Sequence, residues 1–138
     1  MKNLCLYPWY HLANDHQGRV HPCCIYQDKI KKPDGSYYYL QKDKIEDIFK
    51  SEYLQELRQK FLRDERPSEC HICWDNEDIG IPSKRQRFYD ELKYWMDIKP
   101  EVPKVFDYPL DMQLILNNSC NLKCRICTPE LSSSWLKE

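Results

Sequence analysis

The sequence has few glycines, no long apolar run and almost no net charge, and each absence excludes a class of protein. Only 3 of its 138 residues are glycine, against 9 prolines and 13% aromatic residues, which argues against a flexible tail. No stretch approaches the roughly 18 apolar residues of a membrane span, and the first residues lack the apolar core of a signal peptide. The formal net charge of −1 gives no general attraction to nucleic acid or to anionic membranes. We therefore expect a cytoplasmic protein of about one domain, with neither nucleic acid nor membrane as a partner.

Cysteine is the residue in excess, with 8 in the chain. Thiols in the cytosol stay reduced, so clustered cysteines there are more typical of metal ligands than of disulfides. We refer to two groups, the upstream cysteines (Cys5, Cys23, Cys70, Cys73) and the downstream cysteines (Cys120, Cys124, Cys127). Cys24 belongs to neither group, because adjacent cysteines rarely ligate one metal together. We interpret it as a spare thiol, and the alternative is that Cys24 takes the place of Cys23 as the ligand.

The amino-terminal two thirds of the chain are predicted to be a small α+β unit. Turn chemistry around Gly18 predicts a β-hairpin within residues 1–40, which otherwise read as β and loop. Apolar residues at helical spacing predict helices over 43–66 and from Ser83 to about Asp97. Residues 68–82 are predicted to be a loop. The predicted helix caps are the capping boxes Asp43/Glu46 and Ser83/Gln86, and Ser51.

The carboxy-terminal third begins with a proline-rich segment, residues 98–109, which is predicted to be a linker. Alternating apolar residues then predict a buried strand over Leu110–Leu116, followed by the downstream cysteines. Residues from Leu131 to Lys137 are predicted to begin a helix. The predicted organisation is therefore a first domain at 1–97, a linker at 98–109 and the start of a second domain at 110–138.

The downstream cysteines form a CxxxCxxC motif directly after that predicted strand. Three thiolates within eight residues can hold a four-iron cluster with one iron left open to a further ligand. The alternatives that the residues leave open are a zinc-binding loop and three unrelated buried thiols.

This motif resembles that of the radical S-adenosylmethionine (SAM) superfamily, whose cluster loop follows the first strand of an α/β barrel. The resemblance implies that the three downstream cysteines ligate a [4Fe–4S] cluster for the reductive cleavage of SAM. It also implies that Ile126, the residue before the third cysteine, packs on the adenine of SAM. A reductant such as flavodoxin or ferredoxin, and a peptide or other small substrate, are the partners it implies. No catalytic residue is assigned.

The upstream cysteines follow the pattern C-x12-G-x4-C with a later C-x2-C. A hairpin that turns at Gly18 lets Cys5 and Cys23 approach one another, and the CxxC adds two thiolates. The pattern resembles the auxiliary-cluster half of SPASM domains, in the shortened form known as twitch. The resemblance implies an auxiliary [4Fe–4S] cluster with no open iron, suited to electron transfer. A structural zinc site fits nearly as well, and His21 or His71 could then substitute as ligands.

Only 11 residues follow Cys127, whereas a full barrel takes roughly 200 residues or more. We therefore predict that the chain is the front of a longer radical SAM enzyme, truncated after the cluster motif and inactive alone. The alternatives are a non-enzymatic iron–sulfur electron carrier and a zinc-stabilised binding module. The basic residues Lys84, Arg85 and Arg87 are interpreted as a solvated helix face.

Overall fold

Short helices and a three-stranded sheet make up residues 2–96 and 106–137, which the computed structural model describes. The predicted α+β class is confirmed, and no helix in this part of the chain is long and apolar enough to cross a membrane. The helices are α1 (Tyr7–Tyr10), α2 (Ile45–Phe49), α3 (Glu52–Leu62), α4 (His71–Asp78) and α5 (Lys84–Met96), with 3₁₀ turns at Ser68–Cys70 and Ser133–Lys137. The strands are β1 (His11–Asn14), β2 (Val20–His21) and β3 (Asp111–Gln113), in the sheet order β2-β1-β3.

The hairpin predicted around Gly18 is present. Strands β1 and β2 are antiparallel, with Ala13 opposite His21. Gly18 has a φ of +82°, in the left-handed region where glycine is favoured. The Asp15 carboxylate accepts hydrogen bonds from the backbone N–H groups of Gln17 and Arg19, which closes the turn. The turn thus folds the chain before β1 back beside the chain after β2.

We expect Gly18→Ala to lower the free energy of unfolding by more than Gly35→Ala does. Both glycines have a φ above +80°, so a side chain at either position strains the backbone by about 1 kcal/mol. A Cβ at Gly18 would also meet the Gln41 side-chain amide, whereas a Cβ at Gly35 meets nothing within 4 Å. Urea unfolding of both variants measures the difference. Equal losses would show that Gln41 moves aside at no cost.

The hydrophobic core lies where α1, β1, α2 and α3 meet. Ile48, Phe49, Leu54 and Phe61 are all 0% exposed within it. Arg58 of α3 also lies inside this core, and its contacts are taken up in the Discussion.

Two of the three predicted helix caps are confirmed. The Ser51 Oγ accepts a hydrogen bond from Leu54 N at 3.4 Å, at the start of α3. The Ser83 Oγ accepts one from Gln86 N at 3.4 Å, and the Gln86 side chain accepts one from Ser83 N at 2.9 Å. This reciprocal pair is a capping box, and it fixes the first turn of α5.

The capping box predicted at Asp43 and Glu46 is wrong. Helix α2 begins after Lys44, which makes no side-chain cap. The Asp43 carboxylate instead accepts from Tyr39 N at 2.8 Å and pairs with the Lys32 ammonium at 2.7 Å. Asp43 therefore anchors the preceding turn, and its carboxylate is already used there.

Helices α1 and α4 lie in segments that were predicted as β or loop. Pro8 lies in the first turn of α1, where a missing N–H costs nothing and the fixed φ suits a helix. Helix α4 replaces most of the predicted loop 68–82, and it buries Cys73 and Trp74 on one side. Both helices are too short for their apolar residues to show a helical repeat.

The buried strand predicted over Leu110–Leu116 is shorter and more exposed than expected. Strand β3 pairs with β1 in parallel, with His11 opposite Asp111. Leu114 is 49% exposed and Leu116 is 79% exposed. Because β3 is at the edge of the sheet, β1 covers only one of its sides.

The described residues on either side of β3 contain little regular structure. Of the predicted linker, residues 98–105 lie outside the described residues, as does Asp97 at the predicted end of α5. Residues 106–109 form neither helix nor strand. The helix predicted from Leu131 is a 3₁₀ turn that begins at Ser133.

Candidate metal centre

Four thiols from three parts of the chain line one small apolar cavity, which we call the upstream cavity. Cys5 comes before α1, Cys23 follows β2, Cys70 precedes α4 and Cys73 lies in its first turn. All four are free thiols; Cys70 is half-buried and the others are buried. The structure therefore brings together the four residues that the sequence grouped as the upstream cysteines.

Backbone and side-chain hydrogen bonds hold these segments against one another. The Gln27 N–H donates to Glu69 O at 3.0 Å, which ties the chain after Cys23 to the chain before Cys70. The Trp74 indole N–H donates to Pro67 O at 2.9 Å, which fixes the start of α4. The CxxC motif is thus positioned by groups outside it.

Burial and mutual repulsion raise the pKa of three of these thiols, which keeps Cys5, Cys23 and Cys70 protonated in the absence of a metal. Burial raises the pKa of Cys5 well above its ordinary value, and the nearby Cys23 and Cys70 raise it further. Burial raises the pKa of Cys23 to about 12 and also raises that of Cys70. Since thiolates are the form that binds metals, loading the cavity must release protons.

The donors on the upstream cavity are sulfur atoms. Of the described residues that line it, none is a histidine. The Nδ1 of His21 is 2.6 Å from Cys23 O, and His71 is exposed. Sulfur is the donor that iron–sulfur clusters and many zinc sites use, so the donor chemistry of these residues fits a group that is held by four thiolates. Within the described residues, no set of three or more His, Cys, Asp or Glu side chains is arranged to hold a single metal ion.

Cys24 is not among the residues that line this cavity. It is half-buried, whereas its neighbour Cys23 is 8% exposed. Of these two adjacent cysteines, Cys23 lines the upstream cavity and Cys24 does not.

Arg85 lines the same cavity, and the sequence did not reveal this. The predicted solvated face of α5 is wrong at this position, because Arg85 is 8% exposed. Its guanidinium pairs with the Glu77 carboxylate and lies over the ring of Trp74, at 4.8 Å from the ring centroid. Phe88 and Leu92 are also buried, and they follow Arg85 by three and seven residues. This helical spacing is the signal that places Arg85 on the inner face of α5.

Tyr7 is a second cavity residue that the sequence did not single out. Its ring stacks on Phe88 with the centroids 3.9 Å apart, and His11 lies edge-on to it at 4.9 Å. Together with Trp74, Tyr7 gives the cavity aromatic walls that exclude water.

The downstream cysteines lie on a loop after β3 and do not line the upstream cavity. Cys124 is exposed, and Cys120 and Cys127 are half-buried. Cys127 N donates to Cys124 O at 2.9 Å, and this turn brings the backbones of Cys124 and Cys127 close to one another. Ile126, between them, is 98% exposed.

Three consecutive serines hold the downstream loop in place. The Ser134 hydroxyl donates to Cys120 O at 2.6 Å, and the Ser132 hydroxyl donates to Leu122 O at 2.7 Å. Cys120 N donates to the Ser133 Oγ at 3.2 Å. The Ser-Ser-Ser segment therefore fixes the backbone on which the downstream cysteines are displayed.

Comparison with known protein families matches residues 5–74 to one family model, SPASM, described as an iron–sulfur cluster-binding domain. The match begins at Cys5 and ends one residue after Cys73, so it spans all four upstream cysteines and just over half of the chain. It does not extend to Arg85 or to the downstream cysteines. No curated protein and no solved structure matched the chain.

Proposed function

Because the chain belongs to the SPASM family of iron–sulfur cluster-binding domains, we propose that the upstream cavity holds an auxiliary [4Fe–4S] cluster. The observation that carries this proposal is the shared cavity, which gathers four thiols from three distant segments. Cys5, Cys23, Cys70 and Cys73 are the proposed ligands. Such a cluster, when bound, supplies one-electron transfer, because four thiolates leave none of its irons open.

The surrounding side chains would protect the bound cluster. Tyr7 and Trp74 shield the sulfurs from water, which limits both hydrolysis and oxidation of the site. Arg85 and Lys84 also line the cavity, and both carry positive charge toward a group held by anionic thiolates. The upstream unit therefore supplies ligands, a dry environment and charge compensation.

For the downstream cysteines we propose a second [4Fe–4S] cluster that binds SAM at its open iron, as in radical SAM enzymes. The resemblance of CxxxCxxC to that superfamily supports this, and so does the loop's position directly after β3. Ile126 is exposed beside two of the three proposed ligands, where it is free to pack on the adenine. In such enzymes the cluster, when bound, supplies the electron for reductive cleavage of SAM.

The proposed organisation is an auxiliary domain at 1–97, a linker at 98–109 and the start of a radical SAM core at 110–138. Seven large apolar side chains from 108 to 131 are between 41% and 98% exposed, so this segment presents an apolar surface. The complete enzyme would act on a peptide or other small substrate and take electrons from a flavodoxin or ferredoxin. Strand β3, with which the proposed core begins, is the edge strand of the sheet that β1 and β2 form in the auxiliary domain.

Anaerobic reconstitution of the chain with iron and sulfide tests the assignment. We expect about eight iron atoms per chain, with broad visible absorbance, for two four-iron clusters. We also expect SAM to change the EPR signal of one reduced cluster. Tightly held zinc without visible absorbance would overturn the proposal, and two clusters with no response to SAM would favour an electron carrier.

We expect Cys124→Ala to abolish the SAM-dependent EPR change and to remove about four iron atoms, while the upstream cluster remains. Cys124 is exposed and lies outside the upstream cavity, so its loss should leave that cavity intact. Ile126→Ala is the matched change on the same loop and should retain all the iron. Simultaneous loss of both clusters in Cys124→Ala would show that the two sites are not separate.

A further inference from the structure

Arg85 places a buried positive charge against the upstream cavity. Its Nη1 donates to Leu4 O at 2.8 Å, and its Nη2 donates to Lys2 O at 3.2 Å and to the Glu77 carboxylate. The ring of Trp74 lies against the guanidinium. These contacts hold the guanidinium in one orientation.

One of the three guanidinium nitrogens of Arg85 is left without an acceptor among the described residues. That nitrogen is Nε, and it is buried. A buried donor without an acceptor costs free energy, so the arrangement favours any group that supplies one. The sulfurs of a thiolate-held cluster accept hydrogen bonds and carry net negative charge. The upstream cavity, which Arg85 lines, is where those sulfurs would lie.

We propose that Arg85 sets the reduction potential of the auxiliary cluster: its Nε–H donates to a cluster sulfur, and its positive charge raises the potential. This inference rests on the proposed function of the upstream cavity. Arg85 lies outside residues 5–74, so the family match does not assign it. The residue would make the cluster a better electron acceptor.

The direction of the effect follows from charge. Reduction adds an electron to a cluster that is already anionic, so a fixed positive charge stabilises the reduced form more than the oxidised form. A hydrogen bond to sulfur acts in the same direction. Removal of Arg85 should therefore shift the potential to more negative values.

The variant must not leave the buried Glu77 carboxylate without its partner, whereas in E77Q the Arg85 guanidinium keeps its hydrogen bonds to Leu4 O and Lys2 O. Glu77 is 10% exposed at its side chain, so Arg85→Gln by itself would leave an unpaired carboxylate and destabilise the fold. The test therefore compares E77Q with E77Q/R85Q, in which Glu77 is already neutral. A glutamine at 77 can still accept the hydrogen bond from the Ser83 hydroxyl. Arg87→Gln, an exposed change two residues along α5, controls for loss of positive charge.

The readout is the reduction potential of the upstream cluster by EPR-monitored titration, with iron content measured in parallel. Cys124→Ala is the common background, so that one cluster is present. We expect E77Q/R85Q to have a more negative potential than E77Q, and R87Q to match the parent. Loss of the cluster in E77Q/R85Q, with the fold retained, would also support the proposal.

Equal reduction potentials in E77Q and E77Q/R85Q would overturn the proposed role of Arg85. If E77Q/R85Q does not fold, Arg85→Lys is the test variant, because lysine keeps the positive charge and removes the Nε donor. A reduction potential equal to the parent's would then overturn the proposed hydrogen bond from Nε to a cluster sulfur. Absence of iron in the parent chain is a different result. It would overturn the proposed function itself.

Discussion

Replacement of Cys23 by alanine should remove about four iron atoms per chain, whereas replacement of the adjacent Cys24 should leave the iron content unchanged. Cys23 is 8% exposed and lines the upstream cavity with the other three thiols of its group. Cys24 is half-buried and does not line it. The two variants remove the same thiol from neighbouring positions, so each is the control for the other.

Iron and sulfide analysis after anaerobic reconstitution provides the measurement. The remaining iron in Cys23→Ala belongs to the downstream site, and the SAM-dependent EPR change should survive. The reverse pattern, with iron lost in Cys24→Ala alone, would reassign the ligand to Cys24. Full iron in both variants would show that no residue of this pair is a ligand.

Loss of the upstream cluster in Cys23→Ala should also lower the stability of the fold. With a cluster bound, the four ligands cross-link the segments before α1, after β2 and around α4. A group that binds only the folded chain adds its binding free energy to stability. We therefore expect Cys23→Ala to unfold at lower urea than Cys24→Ala under anaerobic conditions.

Local sequence signals predicted the parts of this centre that depend on turns and spacing. Gly18 fixed the hairpin, because its left-handed φ is a local property that a single residue reveals. That turn is enough to predict the approach of Cys5 and Cys23. The Ser51 cap and the Ser83/Gln86 capping box were predictable for the same reason, since their partners lie three residues away.

The parts that sequence did not predict depend on contacts between distant segments. Arg85 is buried because its partners are Glu77 and the carbonyls of Lys2 and Leu4, which no local pattern connects to it. Strand β3 looked like a buried strand by composition. It is exposed because the burial of a strand depends on its neighbours, and β1 is the one strand that pairs with β3 among the described residues.

Arg58 is another residue whose role the sequence did not reveal, and we expect Arg58→Leu to lower the free energy of unfolding by about 2–5 kcal/mol. Arg58 is 5% exposed. Its Nε donates to Pro8 O and its Nη2 donates to Phe49 O, each at 2.9 Å. Burial lowers the pKa of Arg58 to about 10, so the side chain still carries its charge at neutral pH.

The physical reason is that Arg58 joins three helices. Its two donors reach α1 and α2 from α3, and its guanidinium carbon lies 4.7 Å from the centroid of the Phe49 ring. Leucine fills part of the space but leaves both carbonyls buried without these donors, and each such acceptor costs about 1–3 kcal/mol. Arg58→Lys should fall between, because a lysine keeps the charge but cannot reproduce the forked pair of donors.

Arg63→Leu is the matched control. Arg63 follows the last residue of α3, its side chain is 50% exposed, and its partners Glu56 and Glu65 are also exposed. Exposed ion pairs contribute at most about 1 kcal/mol, so the free energy of unfolding of Arg63→Leu should be close to that of the parent chain. Urea unfolding at matched iron content compares the two. A loss in Arg58→Leu no larger than that in Arg63→Leu would show that other groups join α1 and α2 to α3.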